Sequence, residues 1–193
     1  PAKGGVGPAF DSSEVETATD NGMWITGHLA NGEVVHTQAM KIIDLDNTTL
    51  RQHFEQHLSD FRVGGMHVDV ANSPWRLTEQ AGAIRGQVAY HGELWLKGGD
   101  NGVRGGCLAT ILTRLLLIMG LFRWNPSYFI GIQSAHTSCK GLAAREGYMR
   151  TEQRMVQWNI GPDQKAIEGW LVWMSREEAE FNLDVPPETF YAM

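Results

Sequence analysis

Residues 101–117 read NGVRGGCLATILTRLLL, a glycine-rich segment that changes within a few positions into an apolar helical pattern. The apolar side chains recur at the spacing of one helix face, and they are Leu108, Ile111, Leu112, Leu115 and Leu116. This spacing predicts a helix over Cys107–Leu121. The N–H groups at its start are unpaired, and Arg104 adds donors that suit phosphate oxygens. The segment therefore predicts either an anion site or a plain strand-to-helix turn.

The segment before this loop predicts a hairpin followed by a helix. MWITGHLA (residues 23–30) and EVVHTQAMKII (residues 33–43) have strand character, and Asn31-Gly32 favours a type I′ turn between them. Asp46 or Asn47 can cap a helix that extends to about Phe61. Its apolar face consists of Leu50, Phe54, Leu58 and Phe61. Residues 62–83, rich in glycine, predict loops around one short strand.

The remaining elements complete an alternating pattern. IRGQVAYHGELWLK (residues 84–97) predicts one bent strand or two strands meeting at His91-Gly92. YFIGIQS (128–134) predicts a strand, and TSCKGLAAREG (137–147) a short helix that ends at Gly147. MRTEQRMVQWNI (149–160) and GWLVWMS (169–175) predict two more strands. We expect an α/β (α+β) domain over residues 21–175, with a flexible lead-in at 1–20 and a C-terminal extension at 176–193.

Composition restricts the class of protein. The chain has 193 residues and a net charge of −6, and four acids against one lysine in residues 1–20 contribute −3 of it. A broad nucleic-acid-binding face is therefore not expected. The two cysteines predict no disulfide framework, and the apolar run Leu115–Phe122 is too short to cross a bilayer. We expect a cytoplasmic protein with no membrane partner, and a homodimer remains open.

The order of the loop, the helix, the strand 128–134 and the helix ending at Gly147-Tyr148 resembles the Gcn5-related N-acetyltransferase superfamily over about residues 86–160. In that family a strand leads into an Arg/Gln-x-x-Gly-x-Gly/Ala loop that opens a helix. Arg104 matches the first position, Ala109 matches the last, and Cys107 stands where the family has its middle glycine. The resemblance implies a mixed, mostly antiparallel central sheet flanked by helices.

The resemblance also implies acyl-coenzyme A as co-substrate, most simply acetyl-coenzyme A, and an amine of a small molecule or protein as acceptor. The pyrophosphate is expected on Arg104, Gly105, Gly106, Cys107, Leu108 and Ala109. The pantetheine arm is expected along the strand at Leu94, Trp95 and Leu96.

Acylation of an amine requires a group that accepts its proton. Glu93 is the nearest strand carboxylate, and His91 or His136 could act directly or through water. Tyr148 is a phenol near the expected site, whereas the tyrosine that the family often uses as general acid falls at Ala143. The predicted catalytic residues are therefore Glu93, His136 and Tyr148.

Three alternatives to the acyltransferase interpretation are considered. The differences at Cys107 and Ala143 are compatible with a non-catalytic binding or regulatory module of the same fold. His53 and His57 have the helical spacing of a metal pair, with His67 and Asp69 as further ligands, but two solvated histidines explain the pattern more simply. We therefore predict no metal site. The thiol of Cys107 at a helix start could be reactive, although the simpler interpretation is a small apolar residue at a turn.

Overall fold

The computed structural model describes residues 5–14, 20–99, 102–104, 107–186 and 189. The strands are β1 (Gly22–His28), β2 (Val34–Leu45), β3 (Gly86–Leu96), β4 (Tyr128–Ser134), β5 (Arg150–Trp158) and β6 (Ile167–Ser175). The α-helices are α1 (Leu50–His57), α2 (Glu79–Gly82), α3 (Leu108–Trp124), α4 (Ala135–Ser138), α5 (Leu142–Glu146) and α6 (Arg176–Leu183). Short 3-10 turns cover Pro8–Phe10, Leu58–Phe61 and Val70–Asn72.

The strands form one sheet in the order β1-β2-β3-β4-β6-β5. The pair β3–β4 is parallel, and the four other neighbouring pairs are antiparallel. Helix α3 lies between β3 and β4 in the chain and makes the crossover that a parallel pair requires. The predicted fold class, a mixed and mostly antiparallel sheet flanked by helices, is confirmed.

Each face of the sheet carries its own hydrophobic core. On one face, α1 and the 3-10 turn after it bury Leu50, Phe54, Leu58 and Phe61, the four positions predicted to form the apolar side of this segment. On the other face, α3, α5 and α6 bury side chains that include Leu116, Leu117, Ala143 and Ala179. The sheet is therefore buried on both sides, and any opening to its centre must pass between strands.

The first hairpin has the predicted strands but a different turn. The Gly32 N–H donates to Leu29 O at 2.9 Å, and the Leu29 N–H donates to Glu33 O at 2.9 Å. Gly32 has a φ of +83°, whereas Asn31 is not among the residues with positive φ. A type I′ turn needs positive φ at both central residues, so that prediction is wrong. The connection is a three-residue loop that ends in a left-handed glycine.

Several helix ends also differ from the prediction. The N-cap of α1 is Thr49, which forms a capping box with Gln52, rather than Asp46 or Asn47. The segment predicted as one helix at 137–147 is divided into α4 and α5, because Gly141 adopts a φ of 75° between them. Gly147, with a φ of 88°, ends α5 as predicted.

Residues 62–83 and the end of α3 also differ from the prediction. In place of a short strand, residues 62–83 contain α2, a 3-10 turn and two isolated bridges, from Asp69 to Asn159 and from Trp75 to Val156. Helix α3 extends beyond the predicted end to Trp124, where Asn125 adopts a φ of 48°. Among the described residues, no helix combines the length and the hydropathy needed to cross a membrane.

Phe54 is fully buried and contacts the rings of Phe61 and Trp75 edge to face, at centroid distances of 4.8 and 6.3 Å. We expect Phe54→Ala to lower the free energy of unfolding by about 3–5 kcal/mol, because it leaves a cavity in this core. Urea denaturation followed by circular dichroism measures the change. A loss below about 1 kcal/mol would contradict the packing described for this face.

Candidate active site

The parallel pair β3–β4 is short and ends in the middle of the sheet. Its register runs from Val88–Tyr128 to His91–Gly131 and stops there. On the other side of β3, Thr37 of β2 pairs with Trp95 while Ala39 pairs with Gly92, so β3 carries a bulge between these positions. Glu93 within the bulge has a φ of 60°, which is uncommon for a residue other than glycine. Of the two alternatives predicted for residues 84–97, one bent strand is correct.

A cavity of about 340 Å³ occupies the gap that opens beyond His91 and Gly131, and we name it the central cavity. His91, Glu93 and the half-buried edge Leu94–Trp95 line it from β3. Gln133 lines it from β4, and Glu146 and Tyr148 line it from the end of α5 and the residues that follow. The cavity therefore brings together two carboxyl groups, an imidazole and a phenol.

A second opening, of about 540 Å³, lies beside the start of α3, and we name it the basic cleft. Its charged or titratable lining groups are Arg104, His136, Lys140 and Arg145, and within the described residues no carboxylate lines it. The side chains are held in place locally. The Arg104 Nε–H donates to Leu96 O at 2.6 Å, and the Arg145 Nη1–H donates to Lys140 O at 2.7 Å. This positive surface suits phosphate groups.

A third opening, of about 410 Å³, lies on the α1 side of the sheet, and we name it the aromatic pocket. The rings of Phe10, Phe61, Tyr90 and Trp158 line it. Phe10 stacks on Tyr90 at a centroid distance of 5.2 Å. Its carboxylates are Asp60, Glu93 and Glu168. The single cation of the described lining, Arg62, is paired with Glu14 at 2.9 Å. Glu168 is in turn paired with Arg154 at 3.4 Å, so the pocket combines apolar walls with carboxylates that are partly compensated.

The central cavity shares walls with both other openings. Trp95 and Leu142 are among the residues that line both the central cavity and the basic cleft. Glu93 and Gln133 are among those that line both the central cavity and the aromatic pocket. The central cavity therefore lies next to both a basic opening and an opening lined by aromatic rings and carboxylates.

The hydroxyl of Tyr148 lies at the point where β3 and β4 separate. Tyr148 is buried, and its Oη is 3.2 Å from Nδ1 of His91. A Cβ on Gly131 would lie 3.5 Å from the same hydroxyl, so the glycine leaves space next to it. Burial lowers the pKa of His91 to about 4, so its imidazole is neutral at physiological pH. Burial also raises the pKa of the Tyr148 phenol well above its usual value.

Glu146 is a buried carboxyl in the wall of the central cavity. The Gln133 Nε2–H donates to its Oε2, and the Ser138 hydroxyl donates to Oε1 of Gln133 at 2.8 Å. Burial raises the pKa of Glu146 to about 8, although the Gln133 hydrogen bond and the nearby Arg145 act in the opposite direction. Such a shift in a cleft is typical of groups that transfer protons.

Glu93 lies on the rim between the central cavity and the aromatic pocket. The Gly7 N–H donates to its Oε1 at 2.8 Å, which connects it to the N-terminal segment. That segment packs closely: a Cβ on Gly92 would lie 2.5 Å from the Phe10 ring, and the Thr37 hydroxyl donates to Glu93 O at 2.9 Å. The N-terminal segment and β2 therefore both make hydrogen bonds to Glu93, where the backbone has its unusual conformation.

The structure brings together some of the predicted site residues and separates others. Glu93 and Tyr148 line the central cavity, as do Leu94 and Trp95. His136 lines the basic cleft instead, and its Nε2 is 2.9 Å from Nζ of Lys140. The remaining predicted coenzyme-binding residues are placed as follows: Leu96, Arg104 and Ala109 line the basic cleft, Cys107 is the N-cap of α3, Leu108 begins that helix, and Gly105 and Gly106 lie outside the described residues.

The sequence prediction missed the buried polar network of Glu146, Gln133 and Ser138, and the cations Lys140 and Arg145. One signal was available for Glu146. It stands four residues after Leu142 and three after Ala143, so it lies on the apolar side of α5 rather than on a solvated face. The cations give no such signal, because surface lysines and arginines are common.

The histidines of α1 are neighbours, with ring centroids 4.7 Å apart for His53 and His57. Burial lowers the pKa of His53 to about 4, with His57 adding to the shift. Among the described residues, no group of three or more His, Cys, Asp or Glu side chains is placed to hold a metal ion.

No family model matches the sequence, and no curated protein matches it. Solved structures do match. The aminoglycoside acetyltransferase AAC(6')-Ib in complex with coenzyme A and kanamycin aligns with 84% of this chain and 71% of its own, at 13% identity and a TM-score of 0.43. NAA60 of Arabidopsis thaliana in complex with a bisubstrate analogue aligns over 81% and 76%, at 13% identity and a TM-score of 0.47.

A spermidine N-acetyltransferase, a SpeG chimera from Vibrio cholerae and hSSAT, aligns over 84% of this chain and 71% of its own, at 5% identity and a TM-score of 0.45. The sheet of this chain has one parallel pair, β3–β4, whose register ends next to the bulge in β3. This chain is similar to these acetyltransferase structures over most of its length.

The raised pKa of Glu146 makes stability depend on pH. Below about pH 4.5 the carboxyl is protonated in both the folded and the unfolded chain, and between 4.5 and 8 only the unfolded chain ionises it. Stability from this group is therefore lost as pH rises through that window, by roughly 3 kcal/mol at pH 7. We expect Glu146→Gln to gain stability over the wild type progressively from pH 4.5 to 8.

Thermal unfolding of both proteins at pH 4, 6 and 8 measures this difference. Glu55→Gln, which replaces an exposed carboxyl of α1, is the matched control and should show no such trend. A constant difference between Glu146→Gln and the wild type over the whole pH range would contradict the buried, neutral carboxyl.

Proposed function

We propose that the chain is an acyl-coenzyme A-dependent N-acyltransferase that transfers an acyl group, most simply acetyl, to the amine of a small molecule or protein. The observation that carries the proposal is the position of the central cavity, which shares lining residues with both the basic cleft and the aromatic pocket. A transfer reaction needs two substrates that meet at one point, and the central cavity is that point.

The basic cleft fits the coenzyme chemically. Arg104, Lys140 and Arg145 offer donors to phosphate oxygens, and the start of α3 adds a partial positive charge. The apolar walls formed by Leu94, Trp95 and other residues suit the pantetheine arm. The β3–β4 register ends at His91 and Gly131, and we assign the β3 backbone at residues 94–96 to the amide groups of that arm. The bound coenzyme would supply the activated acyl group as a thioester.

The aromatic pocket fits the acceptor. A protonated amine is attracted by the carboxylates of Glu93 and Glu168, and its apolar part can pack on the rings. Glu93 lies where this pocket meets the central cavity, so an ammonium group held there points toward the position of the thioester. We assign Glu93 to binding the acceptor nitrogen.

Tyr148 is the proposed proton donor to the departing sulfur. Its hydroxyl lies beside Gly131, at the point where the strands separate, and His91 fixes its position through Nδ1. The phenol keeps its proton at physiological pH because burial raises its pKa. Tyr148 thereby replaces the tyrosine that the family resemblance places at position 143, where this chain has a buried alanine.

The direct test is transfer itself. The protein is incubated with acetyl-coenzyme A and a panel of primary amines, thiol release is followed by absorbance, and products are identified by mass spectrometry. We expect stabilisation by acetyl-coenzyme A in a thermal shift assay and acylation of at least one aralkyl or alkyl amine. Stabilisation without transfer to any amine would favour a non-catalytic binding module, and no stabilisation would contradict both interpretations.

Arg104→Ala tests the basic cleft. Loss of a charge-assisted contact to phosphate is expected to raise the Kd of coenzyme A about 10-fold, because such contacts contribute on the order of 1.5–3 kcal/mol. The melting temperature should change little, since Arg104 is exposed. Isothermal titration calorimetry gives the Kd. Lys165→Ala removes an exposed cation of the β5–β6 loop and controls for net charge; equal affinity in the two variants would remove Arg104 from the site.

A further inference from the structure

The proposed function leaves one step unassigned, which is the removal of the proton from the acceptor nitrogen. An ammonium group has no lone pair for attack, so a base must act before the new bond can form. Glu93 is the obvious carboxylate, but its Oε1 already accepts the Gly7 N–H at 2.8 Å, and it faces the acceptor pocket as a binding group. A second carboxyl lies deeper in the same cavity.

We infer that Glu146 is the general base of this site, and that Gln133 and Ser138 position its carboxyl. This inference rests on the proposed N-acyltransfer. It assigns a role to the last residue of α5, which lines the central cavity together with Glu93 and the proposed proton donor Tyr148.

The hydrogen bonds around Glu146 determine which oxygen takes the proton. The Ser138 hydroxyl donates to Oε1 of Gln133, which turns the amide nitrogen of Gln133 toward Glu146. The Nε2–H of Gln133 donates a hydrogen bond to Oε2 of the Glu146 carboxylate. Among the described residues, no group donates a hydrogen bond to Oε1 of Glu146. The network therefore leaves Oε1 as the acceptor for a proton that comes from the cavity.

The environment tunes this carboxyl to the reaction. Titratable or charged groups around α5 include His91, Glu93, Arg114, His136, Lys140, Arg145, Tyr148 and Glu178; α3 also carries Arg123, and α6 also carries Arg176, Glu177 and Glu180. His91 is neutral at physiological pH. Arg114 donates to the carbonyl oxygens of Asn182, Leu183 and Val185.

Glu178 pairs with Arg150, and Lys140 lies against His136 in the basic cleft. Burial of Glu146 is the dominant influence, and it brings the pKa of the carboxyl to about 8. A base is most effective when its pKa lies near the working pH.

The proton balance of the step is complete. The ammonium nitrogen gives one proton to Oε1 of Glu146, and its lone pair forms the C–N bond at the thioester carbon as the C–S bond breaks. The Tyr148 phenol gives its proton to the departing sulfur. The nitrogen loses a second proton to solvent, which returns one proton to the phenolate. Glu146 then releases its proton to water, so one proton leaves per turnover.

The experiment measures kcat/KM for the acceptor against pH in the wild type, Glu146→Gln and Glu93→Gln. In the wild type we expect kcat/KM to rise with pH through a single ionisation near 8 and then to level. Glu146→Gln should lower kcat about 100-fold, and the ionisation near 8 should disappear from its pH profile. Its Kd for coenzyme A should stay within about 2-fold of the wild type. Glu93→Gln should mainly raise KM for the amine. Glu55→Gln is the surface control.

Gln133→Leu tests the positioning role. Removal of the amide donor should raise the apparent pKa of the pH profile and lower kcat, because the hydrogen bond to Oε2 favours the ionised carboxylate. A purely structural role of Gln133 would lower activity without moving the profile.

A readout independent of turnover uses carbon-13 labelling of the glutamate carboxyl groups. One carboxyl signal should titrate near pH 8 in the wild type and be absent in Glu146→Gln. If Glu146→Gln keeps its rate within 3-fold while Glu93→Gln loses about 100-fold, Glu146 is not the base and the N-acyltransfer proposal stands. If the wild type transfers to no amine, the proposed function fails, and this assignment fails with it.

Discussion

The early end of the β3–β4 pairing is the constraint on which the rest of the site depends. A parallel pair in the middle of a sheet normally continues to the ends of its strands, since each unpaired backbone group costs free energy. Here the pair ends at His91 and Gly131, and the bulge at Glu93 turns β3 away from β4. The positive φ of Glu93 carries a cost on the order of 1 kcal/mol or more, which the surrounding contacts offset. The central cavity lies beside this bend, so its space depends on the end of the β3–β4 pairing.

The polar groups around this gap are costly to bury and are arranged in pairs. His91 holds Tyr148, and Gln133 holds Glu146, so every one of these side chains has at least one partner in the interior. His91 and Tyr148 are both neutral, and the raised pKa of Glu146 favours its neutral form. The interior therefore avoids a permanently buried charge, which would be far more costly. The consequence is a site whose groups change protonation at modest cost but cannot leave their positions without losing a partner. Such preorganisation suits proton transfer better than a solvated surface does.

Much of the fold could be predicted from the sequence, because its periodicities are local. The hairpin strands, the apolar face of α1, the helix after the glycine loop and the stop at Gly147 all follow from patterns within a few residues of one another. The turn at Asn31-Gly32 was mistaken because the same dipeptide serves two turn types that differ only in the φ of Asn31. The cap at Thr49 was missed because Asp46 and Asn47 are equally good caps locally.

The site was less predictable, since its residues meet only through the sheet topology. Of the three predicted catalytic residues, Glu93 and Tyr148 line the central cavity, whereas His136 lines the basic cleft. Glu146 was missed because burial of a glutamate depends on α3 and α6, which pack behind α5 and are distant in the chain. The residues next to Glu146 in the sequence do not indicate that packing.

The N-terminal segment that reaches Glu93 has a consequence for how this protein could diversify. Its contact with the 64–65 loop is made by backbone atoms alone: a Cβ on Gly64 would lie 2.3 Å from the carbonyl carbon of Val6 and 2.6 Å from the nitrogen of Gly7. Any larger residue at 64 must push away the N–H that holds the Glu93 carboxylate. Gly64 itself lines the aromatic pocket. Under the proposed function, a larger residue there would change both the pocket wall and the position of the Glu93 carboxylate, so this one glycine couples the shape of the pocket to the placement of its charge.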